Sequence, residues 1–191
     1  MQKERCFIEL ITESLLLRDL KLEDFNAVHA YASNLENVRY MTWGPYDEAA
    51  TRSFLDKCLE RQNTAPRTSY DFAITLKETG RLIGSCGIHL NDEMRQAVMG
   101  WILHKDFWKQ GYMPQALAAM LRYGFEVLRL HRMYAYCNTE NYGTYRVMEK
   151  CGMRREAVFI KSKHGRPGID KEWFDEYLYA ILADEWHITE K

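Results

Sequence analysis

Around Tyr70 the apolar residues of this chain change their spacing. Before that point they recur every three or four residues. From Tyr70 to Leu76 they fall on every second position, with Tyr70, Phe72, Ile74 and Leu76 alternating with Asp71, Ala73 and Thr75. The first spacing is that of a helix with one buried face, the second that of a strand with one wetter face. A chain that makes this switch and later reverses it must bury helices against a sheet. Lys77-Glu78-Thr79-Gly80 supplies a turn into a second strand, Leu82 to Leu90, and Gln96 to Leu103 makes a third. Together they predict an antiparallel meander.

The same patterning places the flanking elements. Leu15 to Arg18 reads as a short first strand, followed by a helix from about Leu22 to Ala32 with Leu22, Phe25, His29 and Ala32 on one face. Asp47 is the expected N-cap of a second helix running to about Arg61, carrying Ala50, Phe54 and Cys58 on one stripe. An aromatic loop, Tyr40 to Tyr46, lies between them. After the meander, Pro114 to Leu128 returns to helical spacing through Leu117, Met120, Leu121, Gly124 and Leu128. Met133 to Cys137 is a strand, Thr144 to Lys150 a short helix, and Met153 to Ile160 and Glu176 to Leu182 two closing strands. The order implies an α/β fold with a mixed sheet. With no repeat, linker or low-complexity tract in 191 residues, one domain spanning 1–191 is expected.

Charge narrows the partners. The formal net charge is −1, so no whole-molecule field draws nucleic acid or an anionic membrane. The five cysteines are widely and irregularly spaced and form no C-x-x-C pair, which suggests neither a zinc site nor a disulfide framework. Met1 to Leu10 lacks the apolar core of a secretory signal, and no apolar run reaches membrane-spanning length. A cytoplasmic protein that binds no metal is expected.

The segment from Trp101 to Ala116 is the first with chemical content. A buried strand runs through a short loop into the start of an amphipathic helix, whose unpaired N–H groups and dipole suit a phosphate. Gly111 would let the backbone approach an anion or turn left-handed, and Lys109 would add a positive charge. Alone, this is equally a turn glycine beside a solvated lysine. Neither G-x-x-x-x-G-K-[ST] nor G-x-G-x-x-G is present, which disfavours a nucleotide-binding domain.

A second segment changes the balance. Trp108-Lys109-Gln110-Gly111-Tyr112-Met113-Pro114-Gln115-Ala116, then Arg132, then Asn141-Tyr142-Gly143-Thr144 and Glu149-Lys150-Cys151-Gly152-Met153 occur in order. This arrangement resembles the GCN5-related N-acetyltransferase (GNAT) superfamily, in particular the branch that acetylates the N-terminal amines of ribosomal proteins. Those proteins carry a tryptophan, two residues, then Gly-Tyr-Ala-Thr-Glu-Ala, and later Asn-x-x-Ser-x-x-x-x-Glu-Lys-x-Gly-Phe. Met41-Thr42-Trp43-Gly44-Pro45, Ile83-Gly84-Ser85-Cys86-Gly87 and Asp184-Glu185-Trp186 extend the resemblance in register from about Leu15 to Trp186.

The resemblance implies a mostly antiparallel sheet of about seven strands, flanked by helices, in which two parallel strands splay apart. Here the splay would fall around Trp101 to Leu103 and Met133 to Cys137. It implies acetyl-CoA as donor, with Trp101, Ile102 and Leu103 on pantetheine and Lys109, Gln110, Gly111, Tyr112 and Met113 on pyrophosphate. Asn141 would bind the cofactor arm, a role compatible with capping the short helix, and Thr144 would sit near the sulfur. The chain departs from the pattern at Lys109, where many members have glycine, and at Pro114, which offers no N–H to phosphate. Gln115 replaces a frequent glutamate.

The implied reaction is direct transfer of acetyl to a primary amine, with a backbone N–H near Leu103 meeting the developing oxyanion. Thr144 is the candidate acid for the departing sulfur, because the tyrosine used by other members is Met148 here and Tyr145 points elsewhere. Candidate bases are Tyr136, on a strand position where some members have glutamate, His89, Asp92, Glu93 or a water chain. For His89 the alternative is a surface histidine at a strand end. A weak base suits an α-amine, roughly a quarter neutral at pH 7.4, better than a lysine amine at about one part in a thousand. The expected acceptor is therefore a protein or peptide N-terminus, with a small-molecule amine as rival and a non-catalytic acyl-CoA-binding module as the alternative class. Trp43 and Tyr46 would flank the acceptor mouth together with the charged loop Ser162 to Lys171, or serve as core anchors. Both a monomer and a homodimer remain open.

Overall fold

The computed structural model describes residues 8–91 and 93–186. They form one eight-stranded sheet with four α-helices. In chain order the elements are β1 (Glu9–Ile11), β2 (Leu15–Asp19), α1 (Phe25–Ala32), α2 (Glu48–Asn63), β3 (Ser69–Leu76), β4 (Leu82–Leu90), β5 (Gln96–Leu103), α3 (Tyr112–Arg122), β6 (Arg132–Asn138), α4 (Tyr142–Lys150), β7 (Arg154–His164) and β8 (Trp173–Leu182). The sheet order is β1-β2-β3-β4-β5-β6-β8-β7, and every pair is antiparallel except β5 with β6. The sheet thus has one strand more than the roughly seven expected. The addition is β1, three residues at the sheet edge with no room for a periodic signal.

The meander falls where the period-two pattern puts it, but its wetter face is not wet. Asp71, Ala73 and Thr75 are 6%, 0% and 3% exposed, because α1 and α2 lie over that side of the sheet. Two cores result. Phe72, Ile74, Ile88, Met99 and Met133 meet Leu117, Met120 and Met148 on the side of α3 and α4. Ala73 and Ile102 meet Val28, Tyr31, Leu55 and Cys58 on the other side.

The helices are close to expectation with shifted faces. Asp47 caps α2 by accepting from the Ala50 N–H at 2.7 Å. The buried stripe of α2 is Thr51, Leu55 and Cys58, not Ala50, Phe54 and Cys58. In α1 it is Val28, Tyr31 and Ala32, while Leu22 is exposed and His29 binds Thr51 Oγ1 at 2.9 Å. Tyr31 tolerates full burial because its hydroxyl bonds Ser85 Oγ at 2.9 Å. α3 ends at Arg122 and continues to Val127 as a π-helical turn, so the single predicted helix is two winding patterns in series.

Candidate active site

The site begins where β5 and β6 part. They pair at Gln96 with Arg132, Ala97 with Met133 and Val98 with Tyr134, and nowhere beyond. β5 stays with β4 as far as Leu103, and β6 stays with β8 as far as Asn138. Each strand follows a different neighbour, so a gap opens between Met99–Leu103 and Ala135–Asn138. Met133, expected inside the gap, is instead a paired and fully buried residue below it. Main-chain groups of β5 that face the gap have no strand partner there, which a ligand with its own amides can satisfy.

A cleft of about 320 Å³ lies on the β5 side of this gap, between Trp101–Leu103 and the start of α4. Trp101, Ile102, Leu103, Lys109, Met113, Asn141 and Thr144 all line it, joining stretches some forty residues apart in sequence. Gln110, Gly111 and Tyr112 do not line it but form the turn that opens α3. Gly111 has φ 81° and caps α3 without a side-chain bond, leaving the first-turn N–H groups without a capping acceptor. A Cβ on Gly111 would touch nothing within 4 Å, so its need for glycine is conformational. Lys109 is also left-handed, at φ 61°. The turn is braced at the Leu103 carbonyl, which accepts from Asn37 Nδ2 at 2.7 Å and Trp108 Nε1 at 2.9 Å. Gln110 folds back to donate to the Asp106 carbonyl at 2.7 Å. Gln115 turns away altogether, accepting from Thr12 Oγ1 at 2.9 Å and the Ser14 N–H at 3.1 Å, and so ties α3 to the β1–β2 turn.

Asn141 caps α4 by accepting from the Thr144 N–H at 3.2 Å, which leaves its amide nitrogen free for the cleft. Thr144 lines the cleft, and its hydroxyl bonds no described residue. Met148 is fully buried in the core, and Tyr145 packs against Tyr177 and Tyr179. Tyr136 is separated from this cleft. It packs against Tyr134 and Phe159 in a different surface groove, half exposed, with its phenol pushed above the usual range by desolvation. Glu93 lies on an exposed turn, and Asp92 is outside the described residues.

A second cleft, of about 210 Å³, lies on the α1/α2 side of the sheet and shares Met41, Trp101 and Ile102 with the first. Trp43 and Tyr46, with ring centroids 4.8 Å apart, line this cleft and also pack on the second core. His89 is at the strand end, with its side chain 35% exposed. It lines the cleft beside Asp71, and burial lowers its pKa against the opposing pull of Asp71. The imidazole is therefore neutral at physiological pH.

The charged loop after β7 holds a residue that composition concealed. Arg166 is 8% exposed and donates to the carbonyls of Val38, Trp43 and Gly44 at 3.0 to 3.2 Å and to Asp170 at 2.6 and 2.8 Å. It clamps the aromatic loop, and its guanidinium holds Asp170 below the usual carboxylate range. No sequence signal separates it from its solvated neighbours. An outer groove of about 760 Å³ runs past this clamp to the first cleft. Among the described residues no three His, Cys, Asp or Glu side chains gather as a metal-ligand set. No described helix is long and apolar enough to cross a membrane.

Comparison with known proteins agrees with this architecture. Residues 14–154 match the acetyltransferase (GNAT) domain. The uncharacterized N-acetyltransferase YnaD of Bacillus subtilis is 34% identical over 182 residues, covering 94% of this chain and 100% of that protein. The crystal structure of a GNAT-family acetyltransferase from Bacillus anthracis superposes with a TM-score of 0.81 at 34% identity, covering 93% and 99% of the two chains. A spermidine N-acetyltransferase from Vibrio cholerae, solved with CoA and spermine, shares the fold with a TM-score of 0.78 at 21% identity over 91% and 98%.

Proposed function

The chain belongs to the acetyltransferase (GNAT) family, and we propose that it acetylates the α-amine of a protein or peptide N-terminus in the cytoplasm, as one catalytic domain. Acetyl-CoA supplies the activated acetyl group as a thioester. The observation that carries the acceptor class is electrostatic. Every acidic residue lining the two clefts and the outer groove already has a cation: Glu36 has Lys105 at 3.3 Å, Glu140 has Lys171 at 2.6 Å, Asp170 has Arg166 at 2.6 Å and Asp71 has Arg61 at 3.4 Å. A polyamine keeps further positive charges beside the reacting one and needs free carboxylates to receive them. A peptide carries its length as amides, which suit the long outer groove.

The chain's own residues then divide the work. The unpaired edge of Trp101, Ile102 and Leu103 holds the pantetheine arm, and the amides from Gln110 to Met113, with Lys109 beside them, hold the pyrophosphate. The Asn141 amide steadies the arm, and the Thr144 hydroxyl solvates or protonates the departing sulfur. His89, neutral and lining the second cleft, takes the proton from the amine, while Trp43 and Tyr46 enclose the acceptor. The test is a mass-spectrometric acetylation assay on peptides of varied first residue alongside spermidine and other small amines. Turnover on peptides with none on spermidine is expected. Spermidine turning over faster than every peptide would overturn the acceptor assignment.

A further inference from the structure

Among the described residues three carboxylates are nearly buried, and they are met differently. Asp19 receives Arg67 at 2.6 and 3.2 Å, and Asp24 receives Arg18 at 2.8 Å on both oxygens. Asp71, just as buried, has no such fork. Its Oδ2 is 3.4 Å from Arg61, and its Oδ1 faces His89 Nε2 at 3.6 Å. A carboxylate removed from water normally collects short hydrogen bonds. Asp71 has its contacts at 3.4 and 3.6 Å on the two oxygens, longer than those of Asp19 and Asp24, and it lines the cleft.

The approach of the two side chains is built into the sheet. Asp71 and Gly87 are paired across β3 and β4, and Ser69 pairs with His89. A Cβ at Gly87 would stand 2.8 Å from His89 Nε2, so only glycine lets the ring lie against Asp71. Both groups line the cleft that meets the first one at Trp101 and Ile102, whereas Asp19 and Asp24 line neither. The remaining polar groups nearby are neutral. Burial pushes the Cys58 thiol on α2 and the Tyr31 and Tyr46 phenols upward, leaving Asp71 and Arg61 as the charges that face the ring.

Resting on the reading of His89 as the base, we propose that Asp71 is its positioning residue: it fixes the proton of the neutral ring on Nε2 and receives the charge when Nδ1 is protonated. As the amine nitrogen bonds to the acetyl carbon, the carbon–sulfur bond breaks and its electron pair goes to sulfur. The proton released by nitrogen goes to Nδ1 of His89, and the imidazolium closes the 3.6 Å gap to Asp71 Oδ1. Arg61, 3.4 Å from Oδ2, leaves Oδ1 to the ring.

The experiment follows the His89 imidazole by NMR in the ligand-free protein, together with kcat against pH for an α-amine peptide. His89 must be neutral to act, so activity falls as pH drops through its pKa, which lies below the ordinary 6.5. Asp71→Asn removes the anion that favours the imidazolium, so the midpoint and the acid limb move lower still, and kcat falls about tenfold or more. Arg61→Met removes a cation, so both move higher. His89→Gln loses about 10²-fold in kcat and the limb itself. An unchanged His89 midpoint in both charge variants overturns the proposal. Loss in His89→Gln beside native kcat and limb in Asp71→Asn sinks Asp71 alone, and native turnover in His89→Gln sinks the base reading beneath it. Should Asp71→Asn fail to fold, Asp71→Glu, which keeps the carboxylate but moves it relative to the ring, is titrated instead, and an unchanged His89 midpoint and acid limb count against Asp71.

Discussion

The two clefts that meet at Trp101 and Ile102 are made of different materials. The first is main chain: an unpaired strand edge, a left-handed glycine and the open N–H groups of α3. The second is side chain: Trp43 and Tyr46 over His89 and Asp71, held by an arginine from a distant loop. A site made of backbone depends on where the chain turns, and tolerates changes such as Lys109 and Pro114. A site made of side chains depends on which residues distant parts of the chain deliver. Substitutions should therefore separate the two clefts cleanly.

The largest separation is expected from Arg166→Ala. It strips four loop carbonyls of a buried donor and leaves Asp170 unpaired, a loss of about 3 to 5 kcal/mol for a broken buried pair. Thermal melting should fall sharply and acceptor KM rise, while acetyl-CoA affinity in the folded fraction holds. Arg166→Lys should not rescue it, since an ammonium cannot reach the carbonyls and the carboxylate fork together. Equal loss of affinity for both substrates would show that the clefts are not separable.

Next comes Gly111→Val, which attacks the main-chain cleft. With nothing within 4 Å to clash, the cost is the left-handed backbone, about 1 to 2 kcal/mol. Calorimetry should show weaker acetyl-CoA binding, and Gly111→Asn, which tolerates that conformation, should lie between. Asparagine as damaging as valine would mean that the pyrophosphate needs the bare glycine surface instead.

Legibility in the sequence followed the same division. The α3 start and the Asn141 to Thr144 turn were readable because the residues that make them are contiguous, whereas the splay between two distant strands followed only from the family resemblance. Asp71 read as the wet side of a strand because alternation cannot show that α1 and α2 cover it. Arg166 read as solvated because its carbonyl partners lie over 120 residues away. Gln115 read as a missing charge at the phosphate site because its tie to Thr12 and Ser14 spans about a hundred positions. β1 was invisible for want of length, and Tyr136 looked catalytic only by its position on the strand.

A smaller effect is expected at the junction. Thr144→Val should lower kcat by about tenfold, the low end for a proton-transferring group, with acetyl-CoA KM unchanged. Melting should barely move, because the helix is capped by Asn141 and not by the Thr144 hydroxyl. Native kcat would leave the sulfur to solvent. Smallest of all, Lys109→Gly should relieve a left-handed lysine and raise stability by roughly 1 kcal/mol, read as a higher melting temperature. A lower one would mean that the lysine side chain supports the turn.

The division of labour between the clefts is tested most directly by hydrogen exchange on adding CoA to the protein. Protection is expected at the amides of Met99–Leu103 and Gly111–Met113, with exchange around Asp71 and His89 unchanged. Protection confined to the segments that carry Trp43, Asp71 and His89, with the start of α3 exchanging as before, would place the cofactor in the wrong cleft and contradict the account.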